Sequence, residues 1–412
     1  MPEKVVITGM GTINPLGHTV AETWKNVVAG VSGVAPITLF DHSKYLVHVA
    51  SEVKNFDPAV QLPSRESRRM DRFEQFALFA AVQALEHAGL TITEANAGKI
   101  GVIVSTAIGG FKTFQDAAIS IDGSGPPRLS PFFIPMLMPN GASGMIGIHT
   151  GAKGPTFSVA SACASGSDGI GTAWMMIRSG MIEAAISGSS DATIIEMGVA
   201  AFDRLRAMSR KEVNTPQPFD RDRDGLVMGE GAAILILESE RHARQRGANI
   251  LAELAGYGST ADSYHVTAPS EDGVSGAAAM RMALDAAGAN ADELGYINAH
   301  GTATPLNDAS ETRAIKAAFG EQAYSIPISS TKSMTGHMMG TTGALETIFL
   351  AQAIRDGVLP PTINYHTPDP ECDLDYIPNQ AREKKIKVAI SNAFGFGGHN
   401  AVICVRAYQP AV

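Results

Sequence analysis

Three cysteines in 412 residues, Cys163, Cys372 and Cys404, are too few and too scattered for a disulfide framework. A basic excess is missing too. Thirty-two Lys and Arg stand against 41 Asp and Glu, a formal net charge of −9. Nucleic acid is therefore not expected as the main partner, since phosphate binding needs a basic face. No run of about 18 apolar residues occurs, so no membrane span is expected. The opening stretch from Met1 to Thr8 lacks the apolar segment of a secretory signal, which with the scarce cysteines leads to an expected cytoplasmic location. No low-complexity segment or long linker divides the chain.

What is present is the composition of an ordinary globular protein, 45% hydrophobic and 18% charged, with length for one large domain or two medium ones. Short apolar runs alternate with longer amphipathic ones, the pattern of an α/β protein. Strands are predicted over 4–8, 100–105, 156–160, 184–188, 232–238, 251–257, 296–299, 388–391 and 401–406. Helices are predicted over 71–88, 169–178, 274–287, 309–319 and 343–356. In the second helix Ile170, Trp174 and Ile177 keep helical spacing, while Gly166, Gly169 and Gly171 weaken it intrinsically. It reads as a buried helix packed closely against its neighbours. Strand–helix alternation of similar order on both sides of residue 255 predicts an internally duplicated fold with halves 1–255 and 256–412.

Several motifs invite a specific chemistry and do not complete it. Gly9-Met-Gly11-Thr-Ile-Asn14 lacks the third glycine of a dinucleotide fingerprint and reads as a strand-to-loop turn. Asp220 to Gly225 opens like a calcium loop, but the twelfth position is Gly231 and no helix follows; Arg–Asp pairing that fixes a loop is the better reading. His42 and His48 have no further ligand pattern near them. Cys404 lies inside an apolar run and reads as a small buried hydrophobe, and Cys372 sits in a loop with no activating neighbour.

Cys163 differs. It stands where a strand runs into a helix, flanked by Ser, Ala and Gly, so little bulk crowds the sulfur. Unpaired N–H groups at a helix start favour the thiolate and can meet an oxyanion. Far downstream, His300 lies in Asn298-Ala-His-Gly-Thr-Ala-Thr-Pro305 and His337 in Lys332-Ser-Met-Thr-Gly-His337. One thiol with two histidines and a lysine suggests acyl-thioester chemistry in which a second carbonyl is also polarised. The Gly-rich turn from Asn392 to Asn400 allows close substrate approach, with Phe396 on a backbone able to move.

These motifs occur together in one order. They comprise Val5 to Gly11, Ser130 to Pro135, Ser161 to Gly166, Pro218 to Gly225, Asn298 to Pro305, Ser330 to His337 and Asn392 to Asn400. In that order the chain resembles, end to end, a β-ketoacyl-acyl carrier protein synthase of the elongating type, most similar to the synthase II group. The resemblance implies the thiolase fold: two pseudo-twofold-related βαβαβαββ halves in a five-layered α-β-α-β-α arrangement. A homodimer is the usual state. It implies no cofactor beyond the phosphopantetheine that arrives on acyl carrier protein, the implied partner. Cys163 would be the nucleophile, and its N–H with that of Phe396 the oxyanion hole. His300 and His337 would stabilise the enolate, with Lys332 organising charge and Glu346 supporting it. Thr302, Thr304 and Thr267 would hold the pantetheine arm. Ile108, Phe133 and Phe396 would border the acyl pocket, Asp262 would belong to a second gating loop, and Arg68, Arg69, Arg128 and Arg206 would dock the carrier. No metal is required; some relatives hold a monovalent cation at groups matching Asn298, Glu346, Ser391 and Asn392. His399 reads as a loop residue. A thiolase would need a second reactive cysteine in the C-terminal Gly-rich turn, and a non-catalytic chain-length factor would usually lack the nucleophile. The catalytic subunit of a type II polyketide pair shares the whole active set and stays open as an alternative.

Overall fold

The computed structural model describes residues 3–60 and 64–410. Ten strands make up the main sheet: β1 Val5–Ile13, β2 Ile100–Ser105, β3 Thr156–Phe157, β4 Ala184–Asp191, β5 Gly231–Ser239, β6 Ala252–Ala261, β7 Leu294–Asn298, β8 Ile328–Ser329, β9 Val388–Gly395 and β10 His399–Arg406. Six helices frame the site: α1 Arg72–Ala88, α2 Gly141–Thr150, α3 Ser165–Arg178, α4 Val274–Ala287, α5 Pro305–Phe319 and α6 Thr341–Asp356. Every strand and helix predicted from the sequence is present; strand 100–105 and helix 274–287 keep their predicted bounds and the others have one or both ends shifted. The 156–160 strand is cut to two residues because the chain leaves the sheet toward Cys163.

The sheet order is β8-β7-β9-β10-β6-β1-β5-β4-β2-β3. Its halves repeat one topology. Strands β1 to β5 lie in the order 3-2-4-5-1, and strands β6 to β10 lie in that same relative order. In each half the first three neighbours are parallel and the last two contacts antiparallel. Within the sheet the halves pair through Val6 with Glu253 and Ile7 with Ala252. The repeat thus starts at β6, and position 255/256 falls inside that strand.

Helix α3 follows the third strand of the first half and α6 the third strand of the second. Both pack against strands of the two halves at once, and α6 is buried from Thr341 through Ala353. They are the central layer. On the outside, α1 and α2 cover one half, while α4 covers the other with α5 beside it. The resulting order is α-β-α-β-α.

Glycine decides the closeness of these layers. A Cβ on Gly9 would lie 2.2 Å from Ala84 O, and one on Gly11 would lie 2.1 Å from Ala80 O. The glycines of the apparent fingerprint therefore lie within β1, against the alanine face of α1. Asp71 caps α1 in a capping box with Glu74, and Gly89 ends it at φ 57. The 220–225 loop holds no calcium-loop geometry. Arg223 pairs with Asp369, and Asp220 accepts the N–H groups of Asp222, His366 and Thr367. The rings of His42 and His48 meet edge-on, Nδ1 to Nδ1 at 2.9 Å. Among the described residues no helix is long and apolar enough to cross a membrane.

Candidate active site

Cys163 occupies a 3-10 turn, Ala162–Ala164, that leads into α3. The turn puts Ala162 at φ 52, a left-handed conformation that costs a non-glycine residue about 1–3 kcal/mol. Side chains hold it there. Ser165 Oγ accepts Ser161 N–H at 2.9 Å and donates to Ala162 O at 2.7 Å. Ser161 Oγ donates to Asp168 Oδ2 at 2.5 Å, and Asp168 Oδ1 accepts Tyr257 OH from β6, also at 2.5 Å. The nucleophile turn is thus tied to the first strand of the other half.

The histidines reach the sulfur from that other half. His337 Nε2 lies 3.2 Å from Cys163 Sγ, and the His300 ring stands edge-on to the His337 ring with centroids 5.4 Å apart. Two close backbone approaches make this possible. Gly166 N–H donates to Gly340 O at 3.1 Å, and a Cβ on Gly166 would lie 2.4 Å from that oxygen. A Cβ on Gly343 would lie 2.2 Å from Ser167 Oγ. The N-terminal ends of α3 and α6 can meet because these positions carry no side chain.

Buried carboxylates fix the loops. Glu311 on α5 accepts the N–H groups of His300 at 2.8 Å and Gly301 at 2.7 Å. Asp191, at the end of β4, accepts Thr106 Oγ and Ala107 N–H on one oxygen and Thr341 N–H on the other. Lys332 Nζ pairs with Glu346 Oε1 at 2.7 Å and donates to Ala299 O at 3.4 Å, and Ser391 Oγ donates to Glu346 Oε2 at 2.9 Å. The sequence alone did not single out Asp191, Glu311 or Asp168. Asp191 closes a strand that runs Ser-Gly-Ser-Ser just before it, so no local signal marked it; the other two look like solvated helix positions until the loops are seen folded onto them.

Electrostatics follow from burial. His337 is held down to about 3 by burial and then by Lys332, and His300 falls well below its ordinary value by burial, Lys332 and His337 in that order. Both rings are neutral at physiological pH. Burial pushes Glu346 up to about 7 against the pull of Lys332. The Cys163 thiol differs from expectation: burial raises it to about 11, while Lys332 and the Phe396 and Cys163 N–H groups pull it back only in part. Loss of water outweighs the helix terminus here.

Cys163, His300 and His337 share one cavity of about 310 Å3 with Thr267, Thr302, Thr304, Asp262, Arg206 and Phe396. Thr302 and Thr304 hydroxyls are 3.0 Å apart. Phe396 stacks on Phe202 of the helix Glu196–Arg204 with centroids 6.2 Å apart, and Phe394 lies beside His300 at 5.9 Å. Neither Ile108 nor Phe133 lines this cavity in the single chain. Of the four arginines, Arg206 alone lines it; Arg68 and Arg128 are exposed elsewhere on the surface, and Arg69 lies over the Phe132 ring. His399 is exposed and outside the lining. Among the described residues no cluster of three or more His, Cys, Asp or Glu is arranged for a metal ion. Asn392 Oδ1, however, is buried without a partner, while its Nδ2 donates to Glu311 Oε1 at 3.0 Å.

With the geometry established, known proteins locate it. Residues 2–243 match the β-ketoacyl synthase N-terminal domain and residues 251–366 the C-terminal domain. The chain belongs to the β-ketoacyl synthase family. It is 48% identical over 409 residues to 3-oxoacyl-[acyl-carrier-protein] synthase 2 of Staphylococcus aureus (strain COL), covering 99% of each chain. Against the synthase of the same name from Synechocystis it is 47% identical over 410 residues, again covering 99% of each. A β-ketoacyl synthase from Burkholderia phymatum superposes with a TM-score of 0.92 at 34% identity, covering 99% of this chain and 100% of that one. A type II polyketide synthase acyl-carrier protein in complex with its ketosynthase gives 0.91 at 36% identity, with the same coverage. The fold of this β-ketoacyl synthase is the thiolase fold, as the resemblance implied. A condensing enzyme of this family brings no cofactor of its own.

Proposed function

We propose that this β-ketoacyl synthase condenses acyl-[acyl carrier protein] with malonyl-[acyl carrier protein]. The products are 3-oxoacyl-[acyl carrier protein], CO2 and free carrier protein, in fatty-acid chain elongation. One observation carries the reading: the Cys163 sulfur lies 3.2 Å from His337 Nε2, beside His300, in a single cavity.

Cys163 attacks the acyl thioester and releases the carrier thiol, forming an acyl-enzyme. The Cys163 and Phe396 N–H groups, both already directed at the sulfur, receive the oxyanion. Malonyl-carrier then occupies the pantetheine channel at Thr302, Thr304 and Thr267. As CO2 leaves, the electron pair of its C–C bond becomes an enolate, whose oxygen takes hydrogen bonds from His300 and His337. The nucleophilic carbon attacks the acyl-Cys163 carbonyl and the C–S bond breaks, lengthening the chain by two carbons. Neutral histidines suit this work, since decarboxylation removes the need for a strong base. Lys332 and Glu346 organise charge behind them. Phe396, against Phe202, gates the acyl side, and Asp262 ties the neighbouring loop by accepting Asn400 Nδ2 at 2.6 Å. The groups matching the monovalent-cation site of some relatives are Asn298, Glu346, Ser391 and Asn392; Ser391 pairs in register with Asn298 and donates to Glu346 Oε2, while Asn392 Oδ1 is buried without a partner.

The reading includes a cytoplasmic homodimer, and two features support pairing through the β3 edge. β3 ends the sheet, and the connection between β2 and β3 exposes Ile119, Ile134, Met138 and Ile148. Ile108 and Phe133 would then meet the pocket of one subunit or the other. Arg206 at the cavity mouth, with Arg68, Arg69 and Arg128, steers the acidic carrier, so affinity falls as salt rises. The division of labour between an N-terminal and a C-terminal half follows the sheet repeat.

Mass spectrometry after incubation with acyl carriers of graded length tests the reading. Acylation at Cys163, followed by a two-carbon extension on adding malonyl-carrier, is the expected result. An unmodified Cys163 across all chain lengths would overturn it. Elongation of saturated acyl carriers by the chain alone distinguishes this reading from a polyketide subunit, which would need a partner chain. The higher identity to the elongating synthases, 48% against 36%, favours elongation.

A further inference from the structure

His337 Nδ1, the ring nitrogen facing away from the sulfur, lies 3.3 Å from Thr342 Oγ1. That hydroxyl has one other partner among the described residues, the Met338 N–H, which donates to it at 3.0 Å. We propose that Thr342 is a positioning residue: its hydroxyl donates to His337 Nδ1 and so keeps the proton of the neutral ring on Nε2, aimed at the reacting atoms. The inference rests on the condensing reading for its consequence, though not for its geometry.

A hydroxyl has one hydrogen and two lone pairs. One lone pair of Thr342 Oγ1 is taken by Met338 N–H. Were His337 Nδ1–H also to donate, the hydroxyl hydrogen would be buried with no acceptor, at a cost of about 1–3 kcal/mol. With the hydroxyl donating to Nδ1, every group is satisfied. The ring is then a donor at Nε2, where an enolate oxygen can use it. The opposite tautomer would present a lone pair there and repel that oxygen.

The placement is also rigid. Thr342 lies in the first turn of α6, and its neighbour Thr341 anchors that turn to the other half: Thr341 N–H and Oγ reach Asp191 Oδ2 at 3.1 and 3.2 Å. Two adjacent hydroxyls thus divide the task. One holds the helix start to the half that carries Cys163, and the other sets the ring that helix presents.

Thr342→Val keeps the shape and removes the hydroxyl; Thr342→Ser keeps the hydroxyl. Each is compared with wild type for Cys163 acylation by acyl-carrier, for CO2 release from malonyl-carrier, and by 15N-histidine NMR with the His337 signals assigned through His337→Gln. In wild type Nδ1 should be the unprotonated nitrogen. The valine variant should lose that signature and slow CO2 release by about tenfold or more, below the roughly 100–1000-fold expected for deleting an oxyanion donor. Acylation should stay within about threefold, and serine should restore both readouts. A merely structural role would lower both half-reactions together and leave the tautomer unchanged. A protonated Nδ1 in wild type would overturn the proposal, even if the valine variant fails to fold. So would unchanged CO2 release and an unchanged tautomer in that variant. If wild type is neither acylated nor releases CO2, the condensing reading falls, while the NMR result still judges the hydrogen bond.

Discussion

The two halves of the molecule share one strand order, yet the same position in each carries different chemistry. After the third strand of the first half the chain makes the turn that presents Cys163; after the third strand of the second it places Lys332 and His337. Both segments then enter a central helix, and the helix starts touch through Gly166 and Gly340. The fourth-to-fifth strand connections differ more. In the second half it is the tight turn carrying Phe396, whereas in the first it is the excursion over 192–230 carrying Phe202 and Arg206. Duplication brings two loop ends to one point. Divergence makes one a nucleophile and the other a set of donors.

That division can be broken one half at a time. Removing the sulfur has the largest expected effect. Cys163→Ala should abolish acylation, read by mass spectrometry, while leaving measurable CO2 release from malonyl-carrier, because the donors belong to the other half. Loss of both would show that the halves do not act separately. His300→Ala or His337→Ala should do the reverse, slowing CO2 release by about 100–1000-fold while Cys163 still becomes acylated.

Gly166→Ala attacks the junction itself. Its Cβ would meet Gly340 O at 2.4 Å, so the helix ends must part. Destabilisation of about 1–3 kcal/mol is expected in denaturant unfolding, with both half-reactions impaired. A wild-type stability and rate would mean the close approach is unnecessary.

The smallest effect is one of pH, and it separates the halves again. His337, held down to about 3, stays neutral through the range where an ordinary histidine charges, so its 15N ring signals should show no titration near pH 6.5. A titration there would mean that water reaches the ring, whereas an inflection of CO2 release near pH 7 would report Glu346, pushed up to about 7. The sign for stability is the same. An unfolded chain takes up this proton as pH falls through about 6.5 and the folded chain does not, so the contribution is present above that value and lost toward pH 3. Alkylation of Cys163 should instead rise about tenfold per pH unit through the alkaline range, because its thiol lies near 11.

The α/β alternation, the duplicated order of elements and the trio of Cys163, His300 and His337 were legible in the chain, because apolar periodicity and glycine-flanked reactive residues are local patterns. So were the Lys332 and Glu346 positions, through motif resemblance. Other features came only with the fold. Gly9 and Gly11 looked like a phosphate loop, yet they serve the packing of α1, since a strand does not announce which helix will lie on it. The thiol expected to ionise at a helix start is held protonated by burial, a property of everything around it. Asp168, Asp191, Glu311 and Thr342 each act on groups distant in sequence or on the far side of a turn, and no local pattern marks such contacts. Residue types and their order determined what chemistry the chain could perform. Long-range packing decided which side chains meet, at what distance and in which charge state, because desolvation and hydrogen-bond satisfaction depend on neighbours that only the folded chain supplies.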